Sequence, residues 1–524
     1  MNEKQLKSLL RPAAYPEPAG EVRLIQTHVS WIFLAGEFAY KVKKPVDFGF
    51  LNFSTLDRRR FYCQEEMRLN NRLCPRIYLG VVPLRRSGDG LAFHGDGEVV
   101  DYAVKMVRLP EELMADRLLE RGELSAENAR EIAAAVASFH GRAERGGEIA
   151  AYGALEEIRR NWEENFRQAE EFSGKTLAAA DLRLMRGWVD QFMAANEWLF
   201  ASRVEGGFIR ECDGDLHLEN ISLDGGICIF DCIEFNNRFR FCDTAADLAF
   251  LLMDLEFHGR RDLAEICLHA YLEASEDRGM LPLVGFYKLY RAFIRGKVES
   301  MRIKDPTIPA GEKLAAAERG ERYFRLARGY ILRQGLEPCL IVLSGLSGSG
   351  KSAIGAELSM ELGVELLSSD ILRKELAGIP PDQRSAAPYG GGIYTPEKSA
   401  ATYGEMYARA GKALSEGRGV IIDATCRRRG DRERLRELAA ASGVGLHLFL
   451  VECPEKTVRK RLEERQKSGE GASDAGWEVY LRQKEEFETI LESEGEYRLD
   501  GSAPIAEGVD RILTTMGLLN PTGG

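Results

Sequence analysis

The stretch GDLHLENISLDGGICIFDCIEF, residues 214–235, decides how the first half of this chain is read. Asp215 and Asp231 stand 16 residues apart, and Asn220 lies between them, five residues after Asp215. One kind of phosphoryl-transfer site needs a carboxylate beside the acceptor hydroxyl, an amide ligand for Mg²⁺, and a second carboxylate bridging metal and phosphates. Asp215, Asn220 and Asp231 fill those three places in the right chain order. The DGG at 224–226 reads as a hairpin turn between short strands around 220–223 and 227–231. His217 reads as a brace for the loop, because Asp215 has the better spacing for the base.

Such a site also needs a lysine for the phosphates, on a strand, and a helix glutamate to fix it. AYKVKK offers Lys41 and Lys43, which the period of two puts on one strand face. Position favours Lys41. The helix RRRFYCQEEMRLNNRL offers Glu65 and Glu66, and Glu66 shares a stripe with Tyr62 and Asn70. The plain alternative for these charges is an ordinary surface. VDFGF at 46–50 lies upstream of the catalytic loop, so it reads as a turn with two packing phenylalanines and not as the metal motif. The loop QTHVSW between the first strands has no GxGxxG, which leaves the hydroxyls of Thr27 and Ser30 as phosphate contacts.

Around these residues the pattern changes along the chain. Residues 20–110 alternate like strands, with one helical stretch at 55–73. From 112 to 205 and from 244 to about 334 the periodicity is helical. This half, roughly 20–330, resembles the aminoglycoside phosphotransferase family on its GD-x-x-x-x-N loop and its degenerate nucleotide loop. The resemblance implies a protein-kinase-like α+β fold, with a small β lobe over about 20–108 and a helical lobe over about 109–334. It implies ATP and Mg²⁺, with Lys41 and Glu66 toward the nucleotide, Asn220 and Asp231 toward the metal, and Asp215 as base. Asp243 and Asp247 in DTAADLAFLLMDLEF resemble the aspartates that steady the catalytic loop.

A second style begins at GLEPCLIVLSG, and Gly335 and Pro338 mark the break. The expected domains are therefore 1–336 and 337–524. Strands and helices alternate from there, which predicts an α/β fold with a parallel sheet covered on both faces. GLSGSGKS at 345–352 matches GxxxxGK[ST] at every fixed position, after an apolar strand and before a helix. Gly345, Gly348 and Gly350 let backbone N–H groups turn toward phosphates, Lys351 reaches the β/γ-phosphates, and Ser352 ligates Mg²⁺. Asp370, 19 residues after Lys351, ends the next strand and reads either as a base or as a helix N-cap. Arg373 shares its face. Asp423 ends GVIIDAT, the position of a carboxylate that orients Mg²⁺. Arg461 and Arg465 lie four apart on a helix, either a lid over the transferring phosphoryl group or a solvated basic face. Over about 338–500 these residues resemble P-loop kinases related to polynucleotide kinase and zeta toxins, which implies transfer to a hydroxyl with Asp370 as base. The full order resembles bifunctional aminoglycoside phosphotransferase/ATP-binding proteins.

The bulk numbers exclude other classes. A chain of 524 residues with 44% hydrophobic and 29% charged residues is ordinary globular protein, too long for one core. Net charge −11 leaves no broad footprint for nucleic acid or membrane. The first 20 residues lack a signal-peptide core, and no apolar run spans a bilayer, so the cytoplasm is expected. The ten cysteines show no CxxC, so neither a zinc site nor a disulfide framework is expected, and Cys228 and Cys232 read as buried thiols. The leading expectation is two kinase-like sites, each using ATP and Mg²⁺ on a hydroxyl-bearing small molecule. The alternatives are a nucleotide-binding regulatory half, or a P-loop half acting on a nucleotide or nucleic-acid end. The helical insert at 112–205 and the Gly/Pro-rich segment 382–398 are where acceptor specificity would lie.

Overall fold

A computed structural model describes residues 1–306, 308–380, 383, 391–468, 473–490 and 496–520. Residues 382 and 384–390 of the segment 382–398 therefore lie outside the described residues. The chain divides into two compact units, Met1–Ala327 and Arg328–Gly524.

The first unit opens with a six-stranded antiparallel sheet. Its strands are β1 (Val22–Gln26), β2 (Ser30–Ala35), β3 (Phe38–Lys43), β4 (Tyr78–Ser87), β5 (Gly90–Ala92) and β6 (Val99–Val107), in the order β1-β2-β3-β6-β4-β5. The short β5 and a first helix, Glu3–Leu9, are additions to the sequence reading. Helix Leu56–Asn70, N-capped by Thr55, packs on β4 and β6 and so carries Glu66 to the face of β3. A helical lobe follows. Between its helices run β7 (Ile209–Glu211), β8 (Ile221–Ser222), β9 (Cys228–Ile229) and β10 (Phe241–Asp243), as the antiparallel pairs β7–β10 and β8–β9. Every residue of helix Thr244–Phe257 is buried, polar ones included. It is the axis on which the catalytic loop rests.

The cysteine reading needs one correction. Cys228 is not a free thiol: it is disulfide-bonded to Cys74, 154 residues away, with Cα atoms 4.9 Å apart. A pair so distant leaves no local motif. Cys232 is a buried free thiol, as expected.

The second unit is a five-stranded parallel sheet of β11 (Cys339–Ser344), β12 (Glu365–Ser368), β13 (Val420–Asp423), β14 (Gly445–Glu452) and β15 (Glu496–Asp500), in the order β12-β13-β11-β14-β15. β11 and β13 are buried at every residue, which is why they read as unbroken apolar runs. The division between units falls inside helix Ala310–Leu332, earlier than the Gly335–Pro338 break. The last turn of that helix belongs to the second unit, within which Arg328 donates to Glu361 at 2.6 Å and Asp510 at 2.7 Å. A Cβ on Gly329 would lie 2.1 Å from the Glu361 carbonyl oxygen, so glycine permits that close approach. Among the described residues no helix is long and apolar enough to cross a membrane.

Candidate active sites

In the first unit four separate elements converge. Lys41 on β3 meets Glu66 Oε1 at 2.9 Å and is also paired with Asp231. Lys43, two residues on, meets the other oxygen of Glu66 at 2.6 Å and is paired with Glu234. The same-face expectation holds, but the two lysines differ. Lys43 is 1% exposed and sealed in, whereas Lys41 opens, with Glu66 and Asp231, into a cavity of about 230 Å³. The far walls of that cavity are apolar, from Ile25, Ile77, Met106 and Phe230. Burial would lower the Lys41 pKa, but the carboxylates of Asp231, Glu66 and Glu234 hold it well above the usual lysine value. Burial likewise works to raise Glu66, and the two lysines bring it down to about 2. Glu65, the other helix candidate, pairs with Arg68 instead.

Asp231 has a left-handed backbone, φ +66°. For a residue with a Cβ this is a strained choice that the surroundings must enforce. Its N–H donates to the Tyr78 hydroxyl at 3.3 Å, and the next N–H, of Cys232, donates to Asn70 Oδ1 at 2.9 Å. Asn70 thus fastens the glutamate helix to the Asp231 segment.

The catalytic loop is pinned from beneath. Asp247 accepts the N–H groups of Gly214 (2.8 Å) and Asp213 (3.1 Å), and lies 3.1 Å from His140 Nε2. Arg291 donates to the Gly214 carbonyl at 3.0 Å, and Asp254 accepts from Leu218 N at 3.0 Å. The side-chain hydrogen bonds of Asp243 run to its own helix, Thr244–Phe257, which it caps, and to Arg203 in a two-pronged pair. Asn220 Nδ2 donates to the Asp215 carbonyl oxygen at 3.1 Å and to its Oδ2 at 3.3 Å, and His217 Nε2 lies 3.4 Å from the same Oδ2. Burial would raise the Asp215 pKa, but His217, Arg295 and Arg291 keep it below the usual aspartate value. The carboxylate is therefore ionised near neutral pH and able to take a proton.

The oxygen donors Asn220 Oδ1 and the half-exposed Asp231 carboxylate suit a hard cation such as Mg²⁺. Asn220 spends its NH₂ on the Asp215 carbonyl and carboxylate, which leaves Oδ1 for such a role. Of the hydroxyls proposed for the missing glycine loop, Thr27 Oγ1 accepts from Ser30 N at 2.9 Å, and Ser30 Oγ is buried without a hydrogen-bond partner. Asp47 and Gly49 of VDFGF form a turn, bridged from Asp47 to Asn52.

In the second unit the loop 345–350 links β11 to helix Lys351–Leu362. Gly345 has φ +141°, and a Cβ on it would come within 2.5 Å of the Val451 carbonyl oxygen. Lys351 is 7% exposed and curls back to donate to the Leu346 carbonyl at 2.9 Å. Its pKa is lowered, chiefly by burial, with Asp423 and Asp370 opposing. Ser352 Oγ donates to Asp423 Oδ2 at 2.6 Å, and Ser368 Oγ approaches the same oxygen at 3.3 Å. The hydroxyl and carboxylate expected to share a cation therefore already meet. Burial raises the Asp423 pKa against the pull of Lys351. Asp370 lies in the first turn of helix Ser369–Leu376. Arg373 shares that helix but turns to Ser399 Oγ (3.0 Å) and the ring of Tyr394 (5.0 Å), and its Nε is buried without a hydrogen-bond partner. Arg461 donates to the Gly501 carbonyl at 2.8 Å, against the phosphate loop, while Arg465 donates to Ala475 O at 2.7 Å.

Sequence reasoning missed Glu234, Asn70, Tyr78, His140 and Asp254. Each acts through a partner remote in sequence, so no local spacing announces it.

Comparison with known proteins follows the same division. The model of the phosphotransferase enzyme family matches residues 62–283, and that of an AAA domain matches 340–490. Uncharacterised proteins of Mycobacterium tuberculosis and Mycobacterium bovis are each 32% identical over 437 residues, covering 83% of this chain and 83% of theirs. Similar solved structures include a sugar kinase of a Janibacter species, with 20% identity, 35% of this chain, 96% of that one and a TM-score of 0.27. A gluconokinase of Sinorhizobium meliloti shows 24% identity over 34% of this chain and 92% of its own, with a TM-score of 0.26.

Proposed function

The chain belongs to the family it shares with those mycobacterial proteins, a phosphotransferase domain followed by a P-loop kinase domain, and from that premise we propose that it carries two working sites. The protein is a kinase-type phosphotransferase. In our reading each unit transfers the γ-phosphoryl group of ATP to a hydroxyl of a small molecule.

One observation carries the reading. Each unit gathers, from separate elements, a lysine, a carboxylate partnered for a cation, and a further carboxylate for the acceptor proton. In the first unit Lys41, steadied by Glu66, takes the phosphates, Asn220 and Asp231 hold Mg²⁺, and Asp215 receives the hydroxyl proton. In the second, Lys351 and the N–H groups of the loop of Gly345, Gly348 and Gly350 take the phosphates. Ser352 and Asp423 hold Mg²⁺, Asp370 receives the proton, and Arg373 and Arg461 balance phosphoryl charge. When bound, Mg²⁺ neutralises charge on the phosphate oxygens.

The test is transfer of labelled γ-phosphoryl from ATP into a metabolite extract, with products identified by mass. Wild type is compared with Asp215→Asn and Asp370→Asn. We expect each variant to lose a different product, or the two to lose successive ones. If Asp215→Asn loses nothing while Asp370→Asn loses everything, the first unit is a binding module and the two-site reading falls.

A further inference from the structure

The VDFGF turn, excluded as a metal motif, ends beside the catalytic loop. Phe48 and Phe50 are 49% and 47% exposed, with ring centroids 6.1 Å apart and planes within 28° of parallel. Phe50 lies 6.2 Å from both Phe235 and Phe239, and its carbonyl oxygen accepts from Asn236 Nδ2 at 3.1 Å. Those partners flank the catalytic aspartate. Ile233 N donates to the Asp213 carbonyl at 3.2 Å. A Cβ on Gly214 would lie 2.9 Å from the Phe239 carbonyl oxygen. The turn is thus seated against residues 235–239, and the 233–239 segment in turn packs on Asp213 and Gly214, with about half of each ring left to water. Leaving large apolar rings so exposed forgoes the stabilisation of burial. The guanidinium of Arg238 lies 5.6 Å from the Phe239 ring and is ion-paired with Glu164, while its Nε is buried without a hydrogen-bond partner.

We propose that Phe48 and Phe50 form a stacking shelf of the first unit's acceptor site. Its acceptor is then a hydroxyl compound that carries a ring with an apolar face, and not an acyclic alcohol or hydroxy acid. A nucleoside base and a pyranose share this chemistry. Both present a flat apolar face to an aromatic ring and polar edges to a donor such as Arg238. The inference rests on the first unit being a transfer site with Asp215 as its base.

Binding is read first, without turnover. Saturation transfer from the whole chain is measured to adenosine, methyl α-glucopyranoside and glycerol, with the nucleotide sites filled by ADP and Mg²⁺. We expect transfer to at least one ring compound, falling about five- to tenfold in Phe48→Ala/Phe50→Ala, with no such fall for glycerol. The base and sugar arms tell the two sources apart. Phe48→Leu/Phe50→Leu keeps the turn covered by apolar atoms but removes the flat faces, so it should lose the same signal in a chain that melts like wild type. Equal ring signals in wild type and both variants overturn the shelf. So does an Asp215-dependent product that is acyclic. If Asp215→Asn loses no product, the transfer reading of the first unit fails on its own, and the binding result still decides the shelf.

Discussion

Lys41 and Lys351, the two lysines assigned to phosphate, are held by opposite means. Lys41 is surrounded by carboxylates, touching Glu66 and Asp231, and its pKa is driven up. Lys351 is just as buried, but its contact is a backbone carbonyl, and burial drives its pKa down. The first site is thus charge-paired before any ligand arrives, and in the proposed reading it loosens Lys41 from Asp231 to admit phosphate. The second site holds an under-compensated cation behind a loop of N–H donors. In the proposed reading phosphate itself supplies the missing negative charge. Two folds reach one end, the first by a pre-paired network and the second by a built-in deficit.

The largest expected effect tests whether both sites share a base at all. Asp215→Asn should lower turnover of the first unit's product about 10²–10⁴-fold with nucleotide affinity unchanged, and Asp370→Asn should do the same for the second. Initial rates on the two labelled products, with ADP titrations alongside, decide it. An Asp370→Asn protein that turns over normally would leave that aspartate as a helix cap and end the parallel.

Next comes the division of labour between neighbouring lysines. Lys43 is sealed between Glu66 and Glu234, so Lys43→Met strands the buried Glu234, leaves Glu66 to Lys41 alone, and should cost the first unit about 3–5 kcal/mol. Lys41→Met, at the cavity, should instead abolish ATP affinity. Denaturant melts and ATP titration of both variants separate the roles. The reverse pattern would make Lys43 the phosphate lysine.

How much of this was legible depends on distance along the chain. Strands β11, β13 and β14 of the second unit were readable because each carries a short apolar run between breaks, whereas β15 is mostly polar and was read from the alternation with helices. The Asp215–Asn220 loop was readable because its chemistry is fixed by a spacing of five. Lys41 against Lys43 was not, since the period of two puts both on one face and only the cavity tells them apart. Neither the left-handed backbone of Asp231 nor the Lys43–Glu234 pair has a local signature: Tyr78 and Asn70, more than 150 residues away, set the first, and a sequence separation of 191 hides the second. The Cys74–Cys228 bond failed for the same reason.

That bond gives the third effect. It ties the segment after the glutamate helix to the strand that leads into Asp231, and no such tie exists among the described residues of the second unit. Opening a loop of this length should cost the first unit about 2–5 kcal/mol. In calorimetry with and without reductant, the first unit's transition should fall and the second's should stay. Cys74→Ser/Cys228→Ser should reproduce the reduced trace. Equal shifts in both transitions would show that reductant acts elsewhere.

The smallest effect goes straight to the contrast between the lysines. Phosphate binding favours a charged ammonium, so a lysine whose pKa is already low must take up a proton when a nucleotide arrives at alkaline pH. Lys351 is below the ordinary 10.5 and Lys41 well above it. ADP affinity of the second site, measured in Lys41→Met, should therefore fall as pH rises through the depressed Lys351 value, by up to about tenfold per pH unit beyond it. The first site, measured in Lys351→Ala, should stay flat over the same range. Stability moves with opposite sign. Between the folded Lys351 value and 10.5 the unfolded chain binds more protons, so the Lys351 contribution makes the second unit more stable as pH rises there. The Lys41 contribution is full below 10.5 and is lost only as pH climbs through its raised folded value. Parallel affinity curves for the two sites would mean that Lys351 finds a counter-charge before the nucleotide does, and the contrast between a pre-paired and a deficient site would be gone.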